Sequence, residues 1–273
     1  MSKRSILLPT DFSPASANAY RYACSLAESL NARLDVLHIY NLSMTEVSQA
    51  PYEFIDQMAS DKKAAAQKEL SQFLASTSAP GVEIHPQVTY GVFTATEILD
   101  HAKSSPYTLI VMGMQGEHNM VEQIMGSVTT EVMLHAACPV LAVPAGAAFK
   151  PVEHIAYATD YEPGEQQAVD QLSELAKDLN AGLHCVHVIS GQATEPVESE
   201  VVVVENHPFK LKEICIVRHH SILEGLDSYI ADNHIDLLAL YVPQRRLLER
   251  LFHSSFSKKM AFHAKVPLLV FHS

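Results

Sequence analysis

Thr108-Leu109-Ile110-Val111-Met112 is an apolar run that ends at Gly113; Gly116 follows after two intervening residues, and Gly126-Ser127 after nine more. The run has the length and composition of a buried parallel strand. From Ser127 to Ala137 the pattern is helical, with Val128, Val132 and His135-Ala136 recurring at three- and four-residue steps. Pro139-Val140-Leu141-Ala142-Val143-Pro144 then reads as a second buried strand. A strand, a glycine-bearing loop, a helix opening on Gly-Ser and a further strand make a unit suited to holding phosphate. Glycines let backbone N–H groups come close, and a helix start adds unpaired donors and a partial positive charge.

The residues before this unit follow one alternating programme. Residues 4–9 form a first strand, and Thr10-Asp11-Phe12-Ser13-Pro14 turns into a helix, with Ser13 as N-cap and Pro14 at the first helical position. That helix extends to about Leu30 and turns Ala19, Ala23, Leu26 and Leu30 inward. Leu34 to Tyr40 is a second strand, residues 53–76 a long helix with a solvated Lys/Glu/Gln face, Val82 to Val88 a third strand, and Thr94 to Lys103 another helix. Strands alternating with helices predict an open parallel sheet with helices on both faces. Such a sheet binds ligands beyond the carboxyl ends of its strands, where the strand order reverses.

The programme then repeats. Ile155-Ala156-Tyr157-Ala158-Thr159-Asp160-Tyr161 matches Ile6 to Phe12; Leu183 to Val188 echoes Leu34 to Ile39, aligning His187 with His38; Val266-Pro267-Leu268-Leu269-Val270 echoes Cys138 to Ala142. Two tandem Rossmann-like domains follow, each a five-stranded parallel sheet, over residues 1–146 and 151–273, joined by the small-residue segment Ala145 to Pro151. Gly191 to Pro208 reads as a loop with an extra edge strand at Val201 to Val204, in place of the long helix. In the second copy Gly113 aligns with Tyr241, Gly116 with Gln244, Gly126 with Ser254 and Ser127 with Ser255. With its glycines gone, that copy is expected to be degenerate and free of nucleotide. The cations Arg245, Arg246, Lys258 and Lys259 read as a solvated face.

Composition bounds the function. The chain has 273 residues, 48% hydrophobic and 18% charged, as a folded globular protein has. A formal charge of −12 offers no basic stripe for a nucleic acid, yet is compatible with a small nucleotide held by backbone donors. No export signal is read behind Met1-Ser2-Lys3-Arg4, and no run nears the roughly 18 apolar residues of a membrane span, so no membrane partner and a cytoplasmic location are expected. Cys24, Cys138, Cys185 and Cys215 lie far apart and read as small buried apolar residues. His184 and His187 fall on opposite faces of one strand, and His219-His220 are adjacent, so a metal site among them is not expected.

The spacing Gly-x2-Gly-x9-Gly-Ser ahead of a helix and Cys138-Pro139-Val140, together with Ile6-Leu7-Leu8-Pro9-Thr10-Asp11-Phe12-Ser13 and Leu37-His38-Ile39, resembles the universal stress protein family. The resemblance implies the fold shared with adenine nucleotide alpha hydrolases, two copies packing as a pseudo-twofold intramolecular dimer through their last strands, and room for a further homodimer. It implies ATP, or AMP or ADP, in the first domain, with or without Mg²⁺, and a regulatory role in stress responses. Pro9, Thr10 and Asp11 would then end strand one beside the ribose and phosphates, Asp11 holding any metal ion. The Ile39 backbone would meet the adenine edge. Gly113, Gly116 and Gly126 would admit ribose and phosphates, and Ser127, Val128 and Thr129 would donate to the phosphates from the helix start. Gln115 stands where many members carry a basic or imidazole group, which weakens the expected grip on a triphosphate. Asp11 also reads as a helix-start acid. Glu117, His118 and Glu122 read as solvated loop residues, and no general base for hydrolysis is evident. A slow ATP hydrolase or phosphotransferase, and an interaction protein without ligand, are the alternatives.

Overall fold

In a computed structural model of the chain, the described residues are 4–42, 52–114, 126–161, 164–190, 198–203, 213–242 and 266–272. The first repeat comprises β1 (Ser5–Pro9), α1 (Pro14–Ser29), β2 (Arg33–Tyr40), α2 (Tyr52–Ala75), β3 (Ile84–Tyr90), α3 (Thr94–Ser104), β4 (Leu109–Gly113), α4 (Ser127–His135) and β5 (Val140–Val143). The second comprises β6 (His154–Ala158), α5 (Glu165–Leu179), β7 (Gly182–Ser190), β8 (Glu198–Val203), β9 (Glu213–His219), α6 (Ile222–Asp232), β10 (Leu237–Val242) and β11 (Leu268–His272).

The two expected sheets join into one through pairing of their last strands, as expected. Eleven strands run in the order β3-β2-β1-β4-β5-β11-β10-β6-β7-β9-β8. Within each repeat neighbouring strands are parallel, except that β8 is antiparallel to β9 and makes a sixth strand in the second repeat. The seam joins the repeats through antiparallel pairing of β5 with β11: Leu269 faces Leu141, Val270 faces Val140 and Leu268 faces Ala142. Equivalent residues therefore meet about a pseudo-twofold axis at the Leu141–Leu269 pair. A short strand with unpaired edges is marginal alone, and pairing it with its own equivalent satisfies both edges without a second chain.

The sheet is covered on both sides. Leu26 and Ala23 of α1, Leu70 of α2, and Leu172 and Val169 of α5 pack with Leu141, Leu269 and Phe271 on one face. Ile98 of α3, Val132 of α4 and Leu226 of α6 pack with Val140, Leu268 and Val270 on the other. Strands buried on both faces read as unbroken apolar runs, and β1 and β5 are buried at every residue.

Local signals place most of the element ends. Ser13 caps α1, its Oγ accepting from Ser16 N, with Pro14 opening the helix. The face of Ala19, Ala23, Leu26 and Leu30 is buried. Several bounds differ from the sequence reading, those of β3 and α4 among them. β3 spans Ile84–Tyr90 rather than Val82 to Val88, because its length is set by residue-by-residue pairing with β2 from Leu34 to Tyr40. It lies at the sheet edge, where Pro86 is tolerated. α4 ends at His135 rather than Ala137, since Ala136 already turns extended ahead of Pro139. Of the extra segment, β8 is present as an edge strand. Cys24 and Cys185 are buried, whereas Cys138 and Cys215 are only half-buried; all four are free thiols.

Candidate functional site

The strand order reverses between β1 and β4, and two helix starts converge at the carboxyl end of β4. A Cβ built on Gly113 would lie 2.9 Å from the backbone carbon and oxygen of Ala15, so glycine is needed there to let α1 close onto the sheet. α4 is fixed on the other side of the same residue. Thr129 Oγ1 donates to the Gly113 carbonyl (2.9 Å). Gly126 N donates to the Met114 carbonyl (2.7 Å), and Met114 N to the Val143 carbonyl (2.9 Å). Gly113 and Gly126, thirteen residues apart in sequence, are thus held side by side.

The two helix starts differ in what they leave for a ligand. At α1, Pro14 has no N–H, Asp11 Oδ1 accepts from Ser13 N (3.0 Å), and Ser13 Oγ accepts from Ser16 N (3.2 Å). Ser16 N is thus taken by a side chain and Ala17 N by the Ser13 carbonyl (2.9 Å). At α4 the N-cap is Gly126, which offers no side-chain cap. The amides of Ser127, Val128 and Thr129 are those a helix leaves without intrahelical partners, and they carry the positive end of the dipole.

Strand β1 ends in an unusual corner. Phe12 sits at φ 62°, a left-handed conformation that is strained for an aromatic residue. Its N–H donates to Thr10 Oγ1 (3.1 Å), and its ring stacks on His38 with centroids 4.2 Å apart. His38 in turn donates from Nδ1 to the Thr10 carbonyl (2.9 Å). The corner turns Asp11 outward to solvent while Thr10 stays buried.

The universal stress protein family matches residues 3–144 and again residues 151–272. The chain belongs to the universal stress protein family. Universal stress protein YxiE of Bacillus subtilis strain 168 is 33% identical over 144 residues, covering 50% of this chain and 97% of that protein. Universal stress protein MJ0531 of Methanocaldococcus jannaschii is 29% identical over 142 residues, covering 51% of this chain and 81% of that protein. At the level of fold, the crystal structure of a universal stress protein from Archaeoglobus fulgidus superposes with a TM-score of 0.65 at 16% identity, covering 98% of this chain and 96% of that one.

As a tandem universal stress protein, the chain allows its two sites to be compared residue by residue. The β6 corner repeats the β1 corner: Tyr161 at φ 59° donates its N–H to Thr159 Oγ1 (3.0 Å) and packs on His187, whose Nδ1 donates to the Thr159 carbonyl (2.7 Å). Beyond the corner the copies diverge. Where the first copy has Ser16, accepting from Thr10, the second has Glu165, 2% exposed. Thr159 Oγ1 donates to Glu165 Oε2 (2.6 Å), and Asp160 N approaches Glu165 Oε1 (3.4 Å). The α5 start thereby carries a buried carboxyl group of its own. Tyr241, at the register position of Gly113, brings its hydroxyl 2.6 Å from where a Cβ on Gly164 would stand. Bulk has moved from the helix start to the strand.

Of the site residues expected from sequence, Pro9 ends β1 paired with Leu37, and Thr10 is buried beneath the corner. Ile39 lies half-buried on β2, opposite Thr89. The geometry adds a structural part to three of these residues. Gly113 is required by the close approach of Ala15 of α1. Gly126, at φ −60° and ψ 146°, adopts a backbone open to any residue, so its contribution is the missing side-chain cap. The Thr129 hydroxyl is committed to the Gly113 carbonyl, leaving only its amide. Gln115, Gly116, Glu117, His118 and Glu122 lie outside the described residues, as do Gln244, Arg245, Arg246, Ser254, Ser255, Lys258 and Lys259.

Phe12, His38 and Glu165 were not weighed as site residues from sequence. The aligned Phe/Tyr and His of the two repeats were the available signal for the corner. Glu165 carried none, because a glutamate in a first helical turn is ordinary. His219 and His220 also behave differently from expectation: a bend after β9 lets them converge with Glu224, and His220 Nε2 pairs with Glu224 (2.7 Å).

Proposed function

We propose that the first repeat binds an adenine nucleotide, ATP in the first instance, and that the protein serves as a nucleotide-responsive regulatory module of the cytoplasm in stress responses. The observation that carries this reading is the uncapped α4 start, held beside Gly113 at the strand-order reversal, next to an α1 start that Ser13 caps. Phosphates would take the amides of Ser127, Val128 and Thr129. Asp11, exposed at the end of β1, would hold Mg²⁺ on the phosphates. Ile39 on the neighbouring strand would present its backbone to the adenine edge. The second repeat, with Glu165 at its helix start and Tyr241 at the position of Gly113, would serve as a structural partner.

Ser127→Glu separates binding from folding. A carboxylate in the first turn favours the helix by about 0.3–1 kcal/mol but repels phosphate. Calorimetric titration with Mg-ATP is expected to give saturable binding to the wild type and at least tenfold weaker binding to Ser127→Glu, with the melting temperature kept. Equal affinity in both proteins, or none in the wild type, overturns the reading.

A further inference from the structure

Pseudo-twofold symmetry makes two equivalent grooves beside the β5–β11 seam, and only one of them is occupied by a described segment of this chain. In the first groove, beside α1, the segment leaving β5 is held in place. Asn18 Nδ2 donates to the carbonyls of Pro144 (3.0 Å) and Ala147 (2.9 Å). The Phe149 ring meets Tyr22 edge-on at 5.0 Å, and Tyr22 is buried beneath it. Because Thr10 corresponds to Thr159 and His38 to His187, α1 maps onto α5 with Asn18 at Gln167 and Tyr22 at Gln171. Gln167 and Gln171 line a cavity of about 400 Å³ on the other side of the axis, floored by Leu269 and Phe271 of β11 and reached by Thr108 at the start of β4.

We propose that this cavity is a docking site for an extended peptide segment, donated by another chain, that carries an aromatic residue and sits as residues 144–149 sit in the equivalent groove. Gln167 presents the same primary amide that Asn18 uses to grip two backbone carbonyls. The replacement of Tyr22 by Gln171 removes a ring and leaves room for the incoming aromatic side chain. The floor is the same β-strand surface in both grooves, with Leu269 and Phe271 standing where Leu141 and Val143 stand. An aromatic side chain above that buried floor would cover the apolar rim of the cavity, exposed Ala137 and half-buried Cys138, Pro139 and Leu175. Affinity of this kind rests on one anchored ring and a few main-chain hydrogen bonds, as in strand- and groove-binding peptide recognition generally. The cavity lies at the amino end of β4, the opposite end from the proposed nucleotide site, so the two readings stand or fall separately.

The test uses the full chain and a fluorescein-labelled peptide of the linker sequence, Val143 to Val152. Fluorescence anisotropy is expected to show saturable binding, at least tenfold weaker for the peptide with Phe149→Ala. Gln171→Trp fills the cavity from an exposed helix position, and Thr108→Arg obstructs it independently; each is expected to weaken binding at least tenfold with the melting temperature unchanged. Binding that ignores both protein variants would belong to the first groove or to another surface and overturns the proposal. Absence of saturable binding to the wild type overturns it as well.

Discussion

At the level of single residues, Gly113 shows how one position serves fold and site together. Its missing side chain admits the Ala15 backbone, and its carbonyl receives Thr129. A methyl group there must push α1 off the sheet, because the atoms it meets are main chain and cannot rotate away. Gly113→Ala is expected to cost about 1–3 kcal/mol, the range for overpacking a tight contact. Urea unfolding would read this as a lower midpoint with an unchanged slope. The second repeat reaches a comparable packing with the opposite choice, Tyr241 on the strand and Gly164 at the helix start. The glycine spacing was visible in the sequence; which backbone it accommodated was not, because the contact joins residues nearly a hundred positions apart.

Among the elements, the strand corners are the most closely repeated feature. Each combines a buried Thr, an aromatic residue at positive φ and a histidine donating to the Thr carbonyl. The strain at Phe12 and Tyr161 persists because these contacts over-determine it. Other histidines are expected to make stability sensitive to acid. His184 lies 3.2 Å from His154 and 3.3 Å from the Tyr229 hydroxyl. Burial, and then the neighbouring His154, holds its imidazole below the ordinary value of 6.5. Burial likewise lowers His101 and His272. A depressed imidazole binds fewer protons folded than unfolded, so its stability is fully present above the ordinary value and is lost as pH falls through it. Unfolding midpoints are expected to drop between pH 7.5 and pH 5.5, and His184→Gln should reduce that drop. An equal drop in wild type and variant would assign the acid sensitivity elsewhere.

Across the whole molecule, the seam decides the architecture. Leu141 and Leu269 are cross-strand partners, 1% and 0% exposed, in a core that runs through both repeats. Each Leu→Ala substitution is expected to cost about 2–5 kcal/mol. Because the two side chains share one packing site, the double variant should cost less than the sum of the singles, with a coupling of about 0.5–3 kcal/mol. A double-mutant cycle by chemical denaturation measures it; strict additivity would mean that the repeats pack independently. Arg4 of the first repeat and Asp178 of the second add an ion pair across the same junction.

Local order was legible in the chain itself. Apolar runs marked the central strands, Ser13-Pro14 opened α1, three- and four-residue periods marked the helices, and the repeated Ile-x-x-x-Thr-Asp pattern revealed the duplication, because each depends on neighbours within a few residues. Other features belong to tertiary structure alone: the register of the β5–β11 seam, the length of β3, the commitment of Thr129, the contacts of Glu165 and Tyr241 in the second repeat, and the cavity opposite the linker. These depend on which distant backbone or side chain arrives at a position, and that is settled only when strands far apart in sequence share one sheet and exclude water together.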